Sequence, residues 1–89
     1  SAFFETNLRS LLTFHGVDTV VVTGGSTSGC VRATVVEGLS CGFRMVVPIE
    51  CVADRHESPH FANLYDMAVK YADVLPVEEV AAQLTVIRS

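Results

Sequence analysis

The chain has few cationic residues, few cysteines and no long apolar run. Six Lys and Arg residues are scattered along it, and its net charge is -4, which argues against a nucleic-acid surface, since phosphate binding needs clustered cations. No apolar run approaches the roughly 20 residues that span a bilayer, and no secretory signal opens the chain. Its three cysteines include no CxxC pair. This pattern indicates reduced thiols and predicts a cytoplasmic protein, not a disulfide framework.

The residues that are present are unusually apolar for a domain of this size. Hydrophobic residues make up 49% of the 89 positions and charged residues 18%, with a mean hydropathy of +0.41. A small domain has much surface relative to its volume, so we expect part of this surface to be covered by a partner or a missing half. The first residue is Ser1, not Met. We therefore expect the gene product to begin upstream.

The order of apolar and turn-forming segments predicts alternating helices and strands. Thr6 is a candidate cap and Gly16 a candidate stop for the first helix, and Ser58-Pro59 is a candidate start for the third. The elements expected in chain order are a helix over 6–16, strand 17–23, helix 29–41, strand 43–47, a polar loop over 51–57, a helix from 58, strand 72–75 and a helix from Pro76. In the third helix, Phe61, Leu64, Tyr65, Ala68 and Val69 fall on one stripe.

This alternation predicts an α/β fold, specifically a three-layer α/β/α arrangement around a parallel sheet. The strands are apolar almost throughout, as strands buried on both faces are. Three strands make a thin sheet for such elements. We therefore expect residues 1–89 to be the C-terminal half of one domain.

The stretch VVVTGGSTSGC, residues 20–30, predicts a buried strand, a glycine-serine turn and a helix with Cys30 in its first turn. Ligands of open parallel sheets sit beyond the carboxyl ends of strands, where the free amides of a helix start attract anions. Phosphate binding is disfavoured, because the turn has neither the GxGxxG pattern nor a P-loop lysine. Those amides can instead stabilise a thiolate, which favours a nucleophilic Cys30. The alternative is a small buried hydrophobe, which is our interpretation of Cys41 and Cys51.

Three longer motifs are more specific. The segments SAFFETNL, VTGGSTSGCVRAT and ADR make the chain resemble the isochorismatase-like cysteine hydrolases over nearly its whole length. It looks most similar to the N-carbamoylsarcosine amidase-like branch, with its maleamate- and ureido-compound-hydrolysing relatives.

The resemblance implies that Cys30 is the nucleophile that attacks an amide or carbamoyl carbon and forms an acyl enzyme. It also implies a non-proline cis peptide bond at Gly25–Ser26, which turns the amide of Ser26 beside that of Cys30 as an oxyanion hole. Thr27 shapes this turn and can contribute its hydroxyl to substrate binding. Such backbone amides stabilise developing negative charge.

In the ADR motif, the resemblance implies that Arg55 holds the substrate carboxylate, for which a planar guanidinium fork is suited. The alternative for Arg55 is a surface pair with Asp54. Arg32 is expected to form salt bridges to a neighbouring element or subunit. Lys70 lies on the last turn of its helix, and we interpret it as structural.

The family triad also contains an Asp and a Lys, which the resemblance places upstream of the first motif and so outside this chain. We expect a second polypeptide carrying the N-terminal half to supply both. A metal cluster in the nicotinamidase branch lies upstream too. His15, His56 and His60 show no ligand spacing, and we expect neither metal nor cofactor here. Relatives are commonly tetramers, which implies a homo-oligomer of the complete unit.

Three functions remain open from the sequence. The leading one is an amidohydrolase that acts on a linear amide or N-carbamoyl compound carrying a carboxylate. The second is a non-catalytic interaction module of the same fold. The third is cleavage of a vinyl ether, as in isochorismatases proper, which the presence of Cys30 disfavours.

Overall fold

The computed structural model describes residues 1–88, with side-chain surroundings from residue 1 to residue 82. Four helices and five short strands follow one another along the chain. They are α1 (Leu8–Phe14), β1 (Thr19–Val21), β2 (Gly24–Gly25), α2 (Arg32–Ser40), β3 (Arg44–Pro48), β4 (Val52–Ala53), α3 (Glu57–Lys70), β5 (Asp73–Leu75) and α4 (Val77–Arg88). A π-helical turn, Thr27–Val31, leads into α2, and a 3₁₀ turn, Ile49–Cys51, precedes β4.

The main sheet has the order β1-β3-β5, and both of its strand pairs are parallel. Val20 lies opposite Met45, and Val47 lies opposite Val74. Parallel neighbours require crossover connections, which α2 and α3 supply. The predicted α/β class with a parallel sheet is confirmed.

The central strand β3 is buried from Met45 to Pro48, so its side chains lie in the hydrophobic core on both sides of the sheet. Met45 and Val47 belong to one hydrophobic cluster with Val35 of α2 and Met67 of α3. Gly38 lets α2 approach closely, because a Cβ there would lie 2.5 Å from the Met45 sulfur. Side chains alternate along a strand, so Val46 points to the opposite face. The apolar runs in the sequence reflect this two-sided burial.

Two helix starts differ from the predictions. The N-cap of α1 is Asn7, one residue after Thr6, and the N-cap of α3 is His56, two residues before Ser58. The Asn7 and His56 side chains do not bond the helix amides. The Thr6 hydroxyl accepts from the Leu8 amide at 3.4 Å, so Thr6 does cap the start of α1 as predicted. The predicted stop at Gly16 is confirmed, because its φ is +72° and its amide bonds to the Thr13 carbonyl.

The stripe predicted along α3 is not its buried face. Leu64 is buried together with Met67, whereas Phe61, Tyr65 and Val69 are 60%, 74% and 61% exposed. The helix packs on α2, β5 and the π-helical turn through its Leu64 side. A helix of period 3.6 can carry two apolar stripes, and spacing alone does not say which one meets the core.

A pair of short strands in the polar segments was not predicted. β2 and β4 pair in parallel, with Gly24 opposite Val52 and Gly25 opposite Ala53. The predicted loop over 51–57 therefore contains a strand, and the predicted strand 17–23 ends at Val21. Within residues 1–88, no helix is long and apolar enough to cross a membrane.

Candidate active site

The turn after β2 carries most of the residues predicted for the site. The peptide bond between Gly25 and Ser26 is cis. The amides of Gly29 and Val31 both donate to the Ser26 carbonyl oxygen, at 3.1 Å each, which closes the turn beneath Cys30. Cys30 itself is exposed, whereas Cys41 and Cys51 are half-buried. The turn thus presents one accessible thiol.

The turn begins with tightly packed backbone. A Cβ on Gly25 would lie 3.3 Å from the Ala53 carbonyl oxygen, and one on Gly29 would lie 3.3 Å from the Ser26 Oγ. At both positions a side chain would require its neighbour to move. The glycines of the sequence motif therefore let the turn lie against β4 and fold closely onto itself.

Asp54, directly after β4, binds this turn through both carboxylate oxygens. Its Oδ1 accepts from the Ser26 hydroxyl at 3.1 Å and from the Arg55 amide at 2.8 Å. Its Oδ2 accepts from the Ser28 amide at 2.9 Å. Hydrogen bonding by Ser28, followed by that from the Arg55 amide, lowers the pKa of Asp54 to about 2. The carboxylate is therefore charged throughout the neutral range.

The turn has a second anchor in α3. The side chain of Thr27 is fully buried, and its Oγ1 lies 2.8 Å from Nδ1 of His60. From the sequence, His60 was noted only as lacking the spacing of a metal ligand. Its position four residues after the cap of α3 gave no sign of this contact, which joins residues 33 positions apart.

Thr27→Val tests this anchor. Valine keeps the shape of threonine but loses the hydroxyl, which leaves the His60 ring nitrogen without its partner. We expect a loss of about 1–3 kcal/mol in the free energy of unfolding, measured by denaturant titration of the complete protein. In the control variant Ser40→Ala, an exposed hydroxyl that donates to the Val36 carbonyl within α2 is removed, with an expected change within about 0.5 kcal/mol. Equal losses in both variants would contradict a special role for the Thr27–His60 contact.

Arg55 follows Asp54 and is exposed. Among residues 1–82 its guanidinium has no ion-pair partner, so the alternative of a side-chain pair with Asp54 is wrong. Only its backbone amide bonds that carboxylate. Arg55 lines a cavity of about 240 Å³, formed by residues 52–57 and His60. A free guanidinium beside a cavity can pair with a ligand anion.

Arg32 lies on the other side of the turn and is engaged. Its Nη2 lies 2.8 Å from Oδ2 of Asp66 on α3, and its guanidinium lies 5.7 Å from the Tyr71 ring. The hydrogen bond to Asp66 raises the pKa of Arg32 and lowers that of Asp66. The prediction of a salt bridge to a neighbouring element is confirmed. Lys70 lies 3.6 Å from the same carboxylate.

No group of three or more His, Cys, Asp or Glu side chains in the described part of the chain could hold a metal ion. The polar groups around the turn instead bond to one another. Within residues 1–82, the exposed Cys30 thiol and the Arg55 guanidinium, which has no ion pair, are groups beside the turn that a ligand can reach.

Comparison with known proteins decides the family. The Isochorismatase domain matches residues 1–79. The chain belongs to the isochorismatase-domain family. The resemblance inferred from the three sequence motifs is thereby confirmed.

The names of two relatives refer to amide or carbamoyl substrates. The chain is 54% identical over 84 residues to maleamate amidohydrolase from Pseudomonas putida, covering 94% of this chain and 39% of that protein. It is 42% identical over 84 residues to N-carbamoylsarcosine amidase from Arthrobacter sp, covering 94% of this chain and 32% of that protein. The isochorismatase-domain segment described here thus spans less than half the length of these relatives.

A solved structure shows the same arrangement. An isochorismatase-like hydrolase from Alkaliphilus metalliredigens superposes with a TM-score of 0.87 at 29% identity, covering 92% of this chain and 45% of that one. The chain therefore has the fold of the part of that structure that it matches, which is less than half of that chain.

Proposed function

We propose that this chain carries the nucleophile of an amidohydrolase that cleaves the C–N bond of a small linear amide or N-carbamoyl compound bearing a carboxylate. One observation carries the proposal: Cys30 is exposed on a tightly bonded turn. The similarity to two amidohydrolases whose named substrates contain both a carboxylate and an amide or carbamoyl group supports it.

In the proposed reaction, the Cys30 thiolate attacks the carbonyl carbon and forms an S–C bond. The carbonyl oxygen gains the negative charge, and the amides of Ser26 and Cys30 donate to it. The C–N bond then breaks, and the nitrogen leaves as ammonia or an amine after taking a proton. Water attacks the resulting thioester, and the S–C bond breaks to release the second product and the thiol. No external oxidant or cofactor enters this balance.

Arg55 has the role of carboxylate partner in this proposal. Its free guanidinium and the adjoining cavity support that role. Thr27 shapes the turn in this proposal and does not lend its hydroxyl to the substrate as first expected, because that hydroxyl is buried against His60. The exposed thiol and the free arginine follow two strands, β2 and β4, that pair in parallel and end at the same edge.

The acid–base groups come from elsewhere in this proposal. Family resemblance implies an Asp and a Lys on an N-terminal half, and the chain spans 39% and 32% of the two amidohydrolase relatives. β1 lies at one edge of the sheet and its Val21 is exposed, as are Leu11 and Phe14 of α1, the helix that precedes it in the chain. An apolar parallel sheet is ordinarily covered on both faces. We propose that the N-terminal half, in the same or a second polypeptide, packs along β1.

The test is ammonia release from maleamate by the complete protein, with a denaturing intact-mass spectrum of the same sample. We expect turnover in samples that contain the N-terminal half, and about background rates from this chain alone, because the proposed Asp and Lys belong to that half. The mass spectrum identifies a second fragment or a longer chain. Binding of maleamate without hydrolysis by the complete protein would favour the non-catalytic module instead.

A further inference from the structure

We propose that Asp54 is a positioning residue, which fixes the turn Ser26–Ser28 from β4 and thereby sets the position of Cys30. The inference rests on the proposed function and adds a residue to its site. From the sequence alone, Asp54 was expected only as a possible partner of Arg55. Its effect is exerted through the turn, since none of its described bonds reaches the thiol.

Both carboxylate oxygens of Asp54 bond to the turn. Oδ1 and Oδ2 accept from the Ser26 hydroxyl and the Ser28 amide, which lie 28 and 26 positions away in sequence. The remaining bond comes from the next backbone amide, that of Arg55. Among residues 1–82 no cation forms an ion pair with this carboxylate. The group is thus committed to backbone and hydroxyl donors.

The link from Asp54 to Cys30 passes through Ser26. The Ser26 hydroxyl that bonds Asp54 lies 3.3 Å from where a Gly29 Cβ would be, so Ser26 packs against the residue before Cys30. The Ser26 carbonyl oxygen accepts from the amides of Gly29 and Val31, on either side of Cys30. A displacement of Ser26 therefore displaces the thiol and the amide beside it.

The β2–β4 pairing brings Asp54 to this place. Gly25 lies opposite Ala53, so the next residue on each strand is Ser26 and Asp54. The two-residue ladder is continued by side-chain bonds after the strands end. An aspartate is suited to this position because its two oxygens can accept from donors on both sides of the turn.

The charge state of Asp54 separates positioning from proton transfer. A carboxylate with a lowered pKa loses its contribution only as the pH falls through that value, here about 2. Asp54 is therefore ionised at every pH at which an amidohydrolase assay is run. If Asp54 positions the turn, replacing its carboxylate should lower the rate by the same factor at every pH in that range.

The test compares Asp54→Asn with wild type in the complete protein. Asparagine keeps one acceptor oxygen but presents an NH₂ group to an N–H or O–H donor. We expect kcat for maleamate to fall about 10- to 100-fold with KM changed less than about 3-fold. We expect the ratio of wild-type to variant kcat to stay constant from about pH 5.5 to about pH 9. Hydrogen exchange of the 22–31 backbone should accelerate about 10-fold or more.

Asp73→Asn is the matched control, because Asp73 is an exposed aspartate whose carboxylate bonds Arg44 at the amino end of β3. We expect its kcat and its 22–31 exchange to remain within about 2-fold of wild type. If Asp54→Asn fails to fold, Ser26→Ala removes one of the three bonds and should lower kcat with the same pH independence. Unchanged kcat in either of these turn variants, or a ratio that varies with pH, would overturn the proposal.

Failure of the proposed function is distinguishable. If the wild-type protein did not hydrolyse maleamate, the proposed amidohydrolase function would be rejected. The hydrogen-exchange measurement would still test whether Asp54 holds the turn. Faster exchange of the 22–31 segment only in Asp54→Asn supports the anchor, whereas equal exchange in Asp54→Asn, Asp73→Asn and wild type overturns it.

Discussion

Cys30→Ser is expected to lower kcat/KM for maleamate by at least about 10³-fold in the complete protein. Serine keeps the size and position of the side chain, but a hydroxyl is a far weaker nucleophile than a thiolate at neutral pH. The acyl enzyme then forms too slowly for turnover. Steady-state ammonia release gives the rate. An acyl adduct seen by intact mass in the wild type but not in Cys30→Ser would show that the nucleophile, and not only substrate binding, has been lost.

Cys41→Ser and Cys51→Ser are the controls, because both thiols are half-buried and outside the turn. We expect both variants to stay within about 3-fold of wild type. Limited iodoacetamide should label Cys30 before either of them and abolish activity in step with that labelling. Turnover that persists in Cys30→Ser would reject the cysteine mechanism and favour either another bond-cleaving chemistry or a non-catalytic module.

The site illustrates what local sequence can and cannot predict. The turn was predictable, because Gly24 to Cys30 carries glycines, hydroxyl side chains and a cysteine directly after an apolar strand. The anchors were not predictable from spacing. Asp54 and His60 each reach the turn across roughly thirty positions of sequence, and hydrophobic periodicity carries no information about such polar contacts.

The missed elements have the same physical origin. β2 and β4 are two residues long, too short for any alternation of apolar and polar side chains to show. The buried face of α3 was predicted incorrectly, because Phe61, Tyr65 and Val69 satisfy helical spacing as well as Leu64 does. By contrast, β3 was predicted within a residue, because burial on both faces leaves a continuous apolar run.

Together, the two anchors hold a turn that is made of polar residues. A segment of glycine, serine and threonine has many accessible conformations, and fixing it costs conformational entropy. Here its polar groups are bonded to β4 through Asp54 and to α3 through Thr27 and His60. The thiol at its end stays exposed, while the residues before it are held from two sides. Such preorganisation favours attack on a small bound substrate.

Arg55→Ala is expected to discriminate between charged and neutral substrates. The KM for maleamate should rise about 10- to 100-fold, because a hydrogen bond to a charged group contributes about 1.5–3 kcal/mol. The KM for the corresponding diamide, in which a carboxamide replaces the carboxylate, should change less than about 3-fold. Paired kinetics on these two substrates measure the difference directly. Arg55→Lys should lie between, since an ammonium keeps the charge but loses the planar fork.

The control for this experiment is Arg44→Ala, in which an exposed arginine paired with Asp73 at the amino end of β3 is removed. Because the site follows the carboxyl ends of the strands, we expect both substrates to behave in this variant as in wild type. If Arg55→Ala raised both KM values equally, the Arg55 guanidinium would not be the partner of the substrate carboxylate. Arg55 would then not give the cavity of residues 52–57 and His60 a preference for anions. A selective rise for maleamate alone would place the substrate carboxylate beside Arg55. Since Asp54, the preceding residue, holds the turn of Cys30, a single short segment would then both position the nucleophile and select the substrate.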